Sequence, residues 1–401
     1  MEYRILGASG VRVSILCLGT AFFGIRPAGR DVDAIVGRAL DAGVNFIDTA
    51  NSYGNQARFD RPGYPTWRER PSSEECVGRA IRGRRDRVVV ATKVQERVGD
   101  GPNDGGSGGG GLTRRHIVEQ CERSLLRLGT DWIDLYYAHH VDPTTPIDQT
   151  MRAFDDLVRA GKVRYVGLSN FAGWELARAH GLCERRGWVA PVAMEMPYSL
   201  ANRWIEREVV PACQAHDVGL TCYSPLEAGL LTGEVTADTP AGDPIRVRRG
   251  GQPFTAAQVA LAHRLADLAR AWGAPPASLA LSWLAGRPGV TSVILGPETT
   301  ADFDAGLAGV THLLDASQRQ VLDGLVLDRV QNGQRLASGL RSGDRLVRGW
   351  TGIVEDRNEG NGARRGGDSC DSEDPSERRA LCQGTQCEAP ERVRPCIEDH
   401  P

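Results

Sequence analysis

Lysine is almost missing from this chain. Of its 48 lysines and arginines, only Lys93 and Lys162 are lysine. Wherever a fixed positive charge is enough, the chain uses arginine. A guanidinium is planar and permanently charged, whereas an ammonium is compact and can couple its pKa to a neighbour. A lysine kept in this background marks a place where arginine does not serve, unless the two have survived by chance. No apolar run approaches the ~18 residues of a membrane span. The opening stretch MEYRILGASGVRVSILCLGT is charged at once and has no apolar core of signal-peptide length. A charge imbalance is missing too, with 48 basic residues against 51 acidic ones. These absences argue against a nucleic-acid or membrane partner for the chain as a whole and lead us to expect a soluble, cytoplasmic protein. Paired cysteine motifs are also lacking. Cys17, Cys76, Cys121, Cys183, Cys213 and Cys222 stand singly in apolar segments, as reduced buried thiols do. Cys370, Cys382, Cys387 and Cys396 form no CxxC pair, so no metal site is expected.

What is present is an alternation. Eight short runs rich in Val, Ile and Leu begin near residues 14, 44, 87, 132, 163, 192, 219 and 291. Segments with helical spacing lie between them, such as DVDAIVGRALDAG, SSEECVGRAI and RRHIVEQCERSLLRLG, several opening on a capping residue and closing on Gly. Near-continuous apolar strands alternating with helices indicate a parallel sheet covered on both faces. Eight such units in roughly 300 residues match an α/β (β/α)8 TIM barrel, with RILGASGVRVSIL as a hairpin before the first barrel strand. The competing doubly wound sheet would carry a Gly-rich phosphate loop after its first strand, and LGTAFFG is not one. Residues 56–71, an aromatic and arginine-bearing loop, and the Gly-rich residues 99–111 follow strand ends, where barrel enzymes build their sites. They are either tolerated insertions or, for the aromatic loop, one wall of a substrate pocket. The periodic pattern spans residues 1–328, and 329–401 read as a low-complexity, polar, disordered tail.

Polar residues gather at the ends of these strands. The second run ends on Asp48, with Tyr53 in the loop after it; the third holds Lys93 and the fourth His139 and His140. Ser169 and Asn170, Glu195, and Tyr223 with Ser224 close the next three. In a barrel all face one mouth. A phenol is a poor acid at neutral pH unless a cation stabilises its phenolate, and a lysine held by a carboxylate supplies that field. A histidine beside them can orient a polar substrate oxygen. The set suits protonation of a carbonyl oxygen while hydride arrives at carbon.

The segments GVNFIDTANSYG, VVVATKV, DWIDLYYAHHVDP, GKVRYVGLSNF, CYSPLEAGLL and SVILGPET, in this order, resemble the aldo-keto reductases over residues 1–328. That resemblance implies a barrel that uses a nicotinamide cofactor, and a tetrad of Asp48, Tyr53, Lys93 and His139. Tyr53 would be the general acid, Lys93 would lower its pKa, Asp48 would pair with Lys93, and His139 would orient a small-molecule carbonyl substrate. Ser169 and Asn170 match the pair that holds the carboxamide, and Tyr223 the aromatic that stacks on the nicotinamide. Ser224, Pro225 and Leu226 match the start of the loop over the pyrophosphate. Glu195 stands where many members have Gln; a carboxylate can accept from the carboxamide but not donate to it. Gly296 and Thr299 match a phosphate-binding turn at a helix start. Glu298 and Gly306 stand where members favouring NADP(H) carry a basic residue and an Asn. NADPH is the cofactor expected from the family, and because a bare carboxylate facing a 2′-phosphate is repulsive, NADH stands as the alternative. The family also includes regulatory subunits attached to potassium channels, which leaves a cofactor-binding subunit with little turnover as the second reading. A degraded homologue is the third.

Overall fold

In the computed structural model, residues 1–106, 111–235 and 254–325 are described. The expected tail and its four cysteines lie outside them. β1 (Tyr3–Ile5) and β2 (Arg12–Ser14) form the expected hairpin, with Tyr3 opposite Ser14. Its turn presses against the barrel's amino-terminal end. Gly7 has φ +53°, and a Cβ there would come 2.2 Å from the Val192 carbonyl oxygen. Leu6 and Val13 thereby join Cys17, Phe46, Ala91 and Leu135 in the cluster that fills the barrel.

Eight parallel strands follow: β3 (Leu16–Gly19), β4 (Phe46–Asp48), β5 (Val89–Val94), β6 (Ile133–Ala138), β7 (Val163–Ser169), β8 (Ala193–Pro197), β9 (Gly219–Tyr223) and β10 (Val290–Leu295). Each pairs with the next, and β10 pairs with β3 to close the barrel. All eight predicted runs supply one strand. They are buried on both faces, by the lumen and by the helices, which is why they read as apolar runs and not as alternation.

The surrounding helices are α1 (Arg30–Asp41), α2 (Ser73–Ala80), α3 (Arg114–Leu128), α4 (Ile147–Arg159), α5 (Gly173–Arg186), α6 (Val209–Ala215), α7 (Ala256–Trp272), α8 (Pro276–Ala285), α9 (Thr300–Thr311) and α10 (Ala316–Asp323). Ser72 caps α2 by accepting from the Glu75 N–H, and Glu75 reaches back to the Ser72 N–H. α3 and α5 stop on the left-handed Gly129 and Gly187. In the lumen, Tyr137 of β6 bonds the Thr221 hydroxyl at 3.1 Å, and a Cβ on Gly167 of β7 would lie 2.4 Å from its ring. Glycine is what lets that tyrosine in.

One buried ion pair ties two helices to the barrel. Glu74 of α2 is fully buried and accepts from Thr92 Oγ1 at 2.5 Å and from Arg127 Nε of α3 at 2.6 Å. Arg127→Leu strands that carboxylate with only the hydroxyl as donor. We expect a loss of roughly 3 kcal/mol, the low end for breaking a buried pair. Urea denaturation at neutral pH measures it.

Candidate active site

Lys93 is the fifth residue of β5, and β4, its neighbour, ends on Asp48. The turn after Asp48 is pinned: Thr20 donates to the Asp48 carbonyl from both N–H and Oγ1, and the Asn51 N–H donates to the Lys93 carbonyl. This turn brings Tyr53 back over the strand ends. Lys93 is completely buried, and its ammonium donates to Asp48 Oδ1 at 2.5 Å, Asp48 Oδ2 at 2.6 Å and the Thr49 carbonyl at 3.0 Å. Glu195 Oε1 lies 3.3 Å away. Burial opposes the ammonium charge, but the Asp48 and Glu195 carboxylates outweigh it and hold Lys93 well above its ordinary range. Lys93 Nζ stands 5.0 Å from the centroid of the Tyr53 ring and adjoins its hydroxyl.

The Tyr53 phenol departs from the sequence expectation. Burial raises it above its ordinary value, and Lys93 offsets only part of that rise, while Asp48 and, once ionised, Glu195 push the same way as burial. The phenol is thus protonated at neutral pH. His139, one residue past β6, turns its ring edge-on to Tyr53, with centroids 5.7 Å apart and planes at 76°. Burial, His140, Lys93 and Arg58 hold its imidazole well below the ordinary value, so it is neutral and carries one N–H. The structure therefore brings all four expected tetrad residues together.

Sequence reasoning placed His140 beside this group but missed Glu96. His140 stacks on His139 at 4.7 Å and 15°, and its Nε2 lies 3.0 Å from Glu96 Oε1. The other Glu96 oxygen takes Arg58 at 2.8 Å. Potential ligand atoms of Glu96, His139 and His140 all lie within 4.8 Å of one another, but the Glu96 carboxylate is already divided between His140 and Arg58. Glu96 sits three residues past Lys93 at the same strand end, and that position was the available signal. Phe59 of the aromatic loop meets Tyr53 edge-on at 6.0 Å, as a pocket wall requires. The loop's arginines have partners within the protein. Arg58 holds Glu96, Arg61 covers the Phe22 ring at 4.3 Å, Arg68 covers Trp67 at 4.3 Å, and Arg70 pairs with Asp60 at 2.8 Å. Each of them is committed to a contact inside the protein.

Of the expected cofactor residues, Asn170 is left-handed at φ +62° and its side chain is engaged on every side. Its Nδ2 donates to the His139 carbonyl at 2.9 Å and to Ser169 Oγ at 3.0 Å, and its Oδ1 accepts from Tyr223 at 2.8 Å. Glu195 lies opposite Ser169 in the register of β7 and β8, but its side chain is turned onto Lys93. After β9 the chain is left-handed at Ser224, passes Pro225 and Leu226, and is left-handed again at Glu227 and Ala228. Within this turn the Glu227 N–H bonds the Ser224 carbonyl at 3.0 Å and the Gly229 N–H the Leu226 carbonyl at 3.1 Å, so those donors are already used. Past β10, Gly296 is exposed and Thr299 caps α9. Asp302 accepts from the Thr299 N–H at 3.0 Å and the Glu298 N–H at 3.2 Å, so those donors are already used. Glu298 pairs with Arg26 at 3.2 Å and Arg61 at 3.9 Å, so its charge is compensated and not bare as the sequence implied. Gly306 packs on Leu295, where a Cβ would come 1.9 Å from a Leu295 methyl.

A model described as the Aldo/keto reductase family matches residues 15–326. The chain belongs to that family. An uncharacterized oxidoreductase, YrpG, of Bacillus subtilis (strain 168) is 38% identical over 80% of this chain and 95% of its own length. A protein of Oryza sativa subsp. japonica named as a probable voltage-gated potassium channel subunit beta is 34% identical over 74% of this chain and 87% of its own. The L-glyceraldehyde 3-phosphate reductase of Escherichia coli (strain K12) is 31% identical over 78% and 88%. The family and the two relatives named as an oxidoreductase and a reductase support an oxidoreductase. Among the described residues, no helix is long and apolar enough to cross a membrane.

Proposed function

We propose that the protein is an NAD(P)H-dependent reductase that converts an aldehyde or ketone to an alcohol, with Tyr53 as the general acid. The observation that carries this reading is the completely buried Lys93 ammonium, held by both Asp48 oxygens beside a protonated Tyr53, with a neutral His139 edge-on to the phenol. The hydrogen-bonded platform of Ser169, Asn170 and Tyr223, with Leu226 in the loop beyond it, supports binding of a nicotinamide nucleotide. Glu195, Ser224, Pro225, Gly296 and Thr299 complete the proposed cofactor set. When bound, that nucleotide supplies the hydride.

The protein's own residues do the rest. His139 donates its N–H to the substrate carbonyl oxygen and fixes its direction. As negative charge grows on that oxygen, the Tyr53 O–H bond breaks and the alcohol O–H bond forms. Lys93 then stabilises the phenolate left behind, and Asp48 keeps Lys93 charged and in position. Phe59 covers Tyr53 from the loop side and limits water. The six cysteines of the described residues are free buried thiols, which supports a cytoplasmic location.

The second reading, a cofactor-binding regulatory subunit with little turnover, is favoured by the likeness to the potassium channel beta subunit of rice. Nucleotide absorbance, followed with purified protein and a panel of aldehydes, ketones and quinones, separates the two, with NADPH and NADH binding measured apart by fluorescence. Turnover supports the reductase. Binding without turnover on any carbonyl favours the subunit, and failure to bind either nucleotide points to a degraded homologue.

NADPH is the proposed preference, with NADH as an alternative. Glu298→Ala removes the carboxylate that Arg26 and Arg61 share. We expect NADPH affinity to rise relative to NADH by roughly three- to tenfold, the scale of one partly screened charge contact. Dissociation constants for both nucleotides at fixed ionic strength check it.

A further inference from the structure

Two carboxylates converge on one buried ammonium. Asp48 takes Lys93 with both oxygens and Glu195 with one, and Asp48 and Glu195 are each only 3% exposed. The groups that face Glu195 are Asp48 on β4, Lys93 on β5, Tyr137 on β6, Cys222 and Tyr223 on β9, Cys17 on β3, and Tyr53 in the loop. Lys93 is the one cation of this set. With both acids ionised the trio would carry a net negative charge out of reach of water, a costly arrangement. Glu195 Oε2 is moreover buried with no hydrogen-bond partner. Both acids crowd the same ammonium, with Asp48 Oδ1 2.5 Å and Glu195 Oε1 3.3 Å from Lys93 Nζ. Two carboxyl groups can bond each other only with a proton between them.

We propose that Asp48 and Glu195 share one proton beside Lys93 at neutral pH, held by Glu195, and that Glu195 is thereby a positioning residue for Tyr53. While neutral, it leaves the Lys93 field on the phenol undivided. Its ionisation adds a second negative charge beside Tyr53 and weakens it as an acid. Burial, then the Asp48 carboxylate, push Glu195 up to about 8 from its ordinary 4.5. In this window the folded protein binds a proton that the unfolded chain has released, so the Glu195 contribution to stability falls as pH rises from 4.5 to 8.

The test compares cofactor-free wild type with Glu195→Gln, which keeps the shape and cannot ionise. Denaturation midpoints are measured from pH 5 to 9. The variant is expected to gain on wild type steadily up to about pH 8 and then level off. Infrared spectra of wild type labelled with 13C-glutamate provide a second measurement that needs no variant: a protonated-carboxyl band should persist at pH 7 and fade near pH 8. A stability difference independent of pH, or no such band, overturns the shared proton. The kinetic arm rests on the reductase reading. Wild-type kcat should fall about tenfold per pH unit above the inflection, as for loss of one essential proton, and the variant should lack that limb. An identical limb in both would overturn the positioning role. No turnover in either, with the shared proton intact, would instead overturn the reductase reading and the Tyr53 role together.

Discussion

Tyr53→Phe is expected to lower kcat for carbonyl reduction by 10²- to 10⁴-fold, the usual contribution of a positioned general acid. It should change nucleotide affinity by less than about threefold, since the phenyl ring keeps its bulk and loses one oxygen. The ring's contacts with Phe59 and His139 are edge contacts that phenylalanine preserves. The combination is diagnostic. A packing role for Tyr53 would spare kcat, and a nucleotide-binding role would move the dissociation constant. Stopped-flow reduction at saturating nucleotide, paired with fluorescence titration, reads both quantities from one preparation.

Lys93→Arg is expected to be as damaging, at least 100-fold in kcat, although it keeps the charge. The ammonium sits in a closed pocket with Asp48 at 2.5 and 2.6 Å and the Thr49 carbonyl at 3.0 Å, and a planar guanidinium needs more room and five acceptors. Lys93→Met leaves the buried Asp48 carboxylate with no cation, so it takes up a proton and the field on Tyr53 is gone. Lys162→Arg is the internal control. That lysine is half-exposed and pairs with Glu122 on the flank, where arginine serves as well, so kcat should stay within about twofold. The two lysines of this arginine-rich chain thus differ: position makes one irreplaceable and leaves the other incidental.

The barrel was legible because its strands are apolar throughout and its helices carry caps such as Ser72 and terminal glycines such as Gly129. Both are local signals. Strand-end positions, which the barrel carries to one mouth, made a wider set of polar residues legible, and the resemblance to the family picked the tetrad out of it. What the sequence hid depends on side-chain direction. Glu195 stood at the expected strand end, yet only the three-dimensional arrangement turns it onto Lys93. Glu298 read as a bare repulsive charge because Arg26 and Arg61 arrive from loops far away in sequence. The Tyr53 phenol was expected to be lowered by one cation, and burial, with the Asp48 carboxylate nearby, raises it instead. α8 carries no amphipathic stripe to announce it, being buried from Ser278 to Ala285.

The central claim is that Lys93 acts through Tyr53. A double-mutant cycle on the hydride-transfer rate, with Tyr53→Phe, Lys93→Met and the double variant at saturating nucleotide, tests it most directly. If the two form one unit, the double variant should be slower than the worse single variant by no more than about threefold. Losses that multiply across the two positions would mean that Lys93 works independently of the phenol, and would contradict the account.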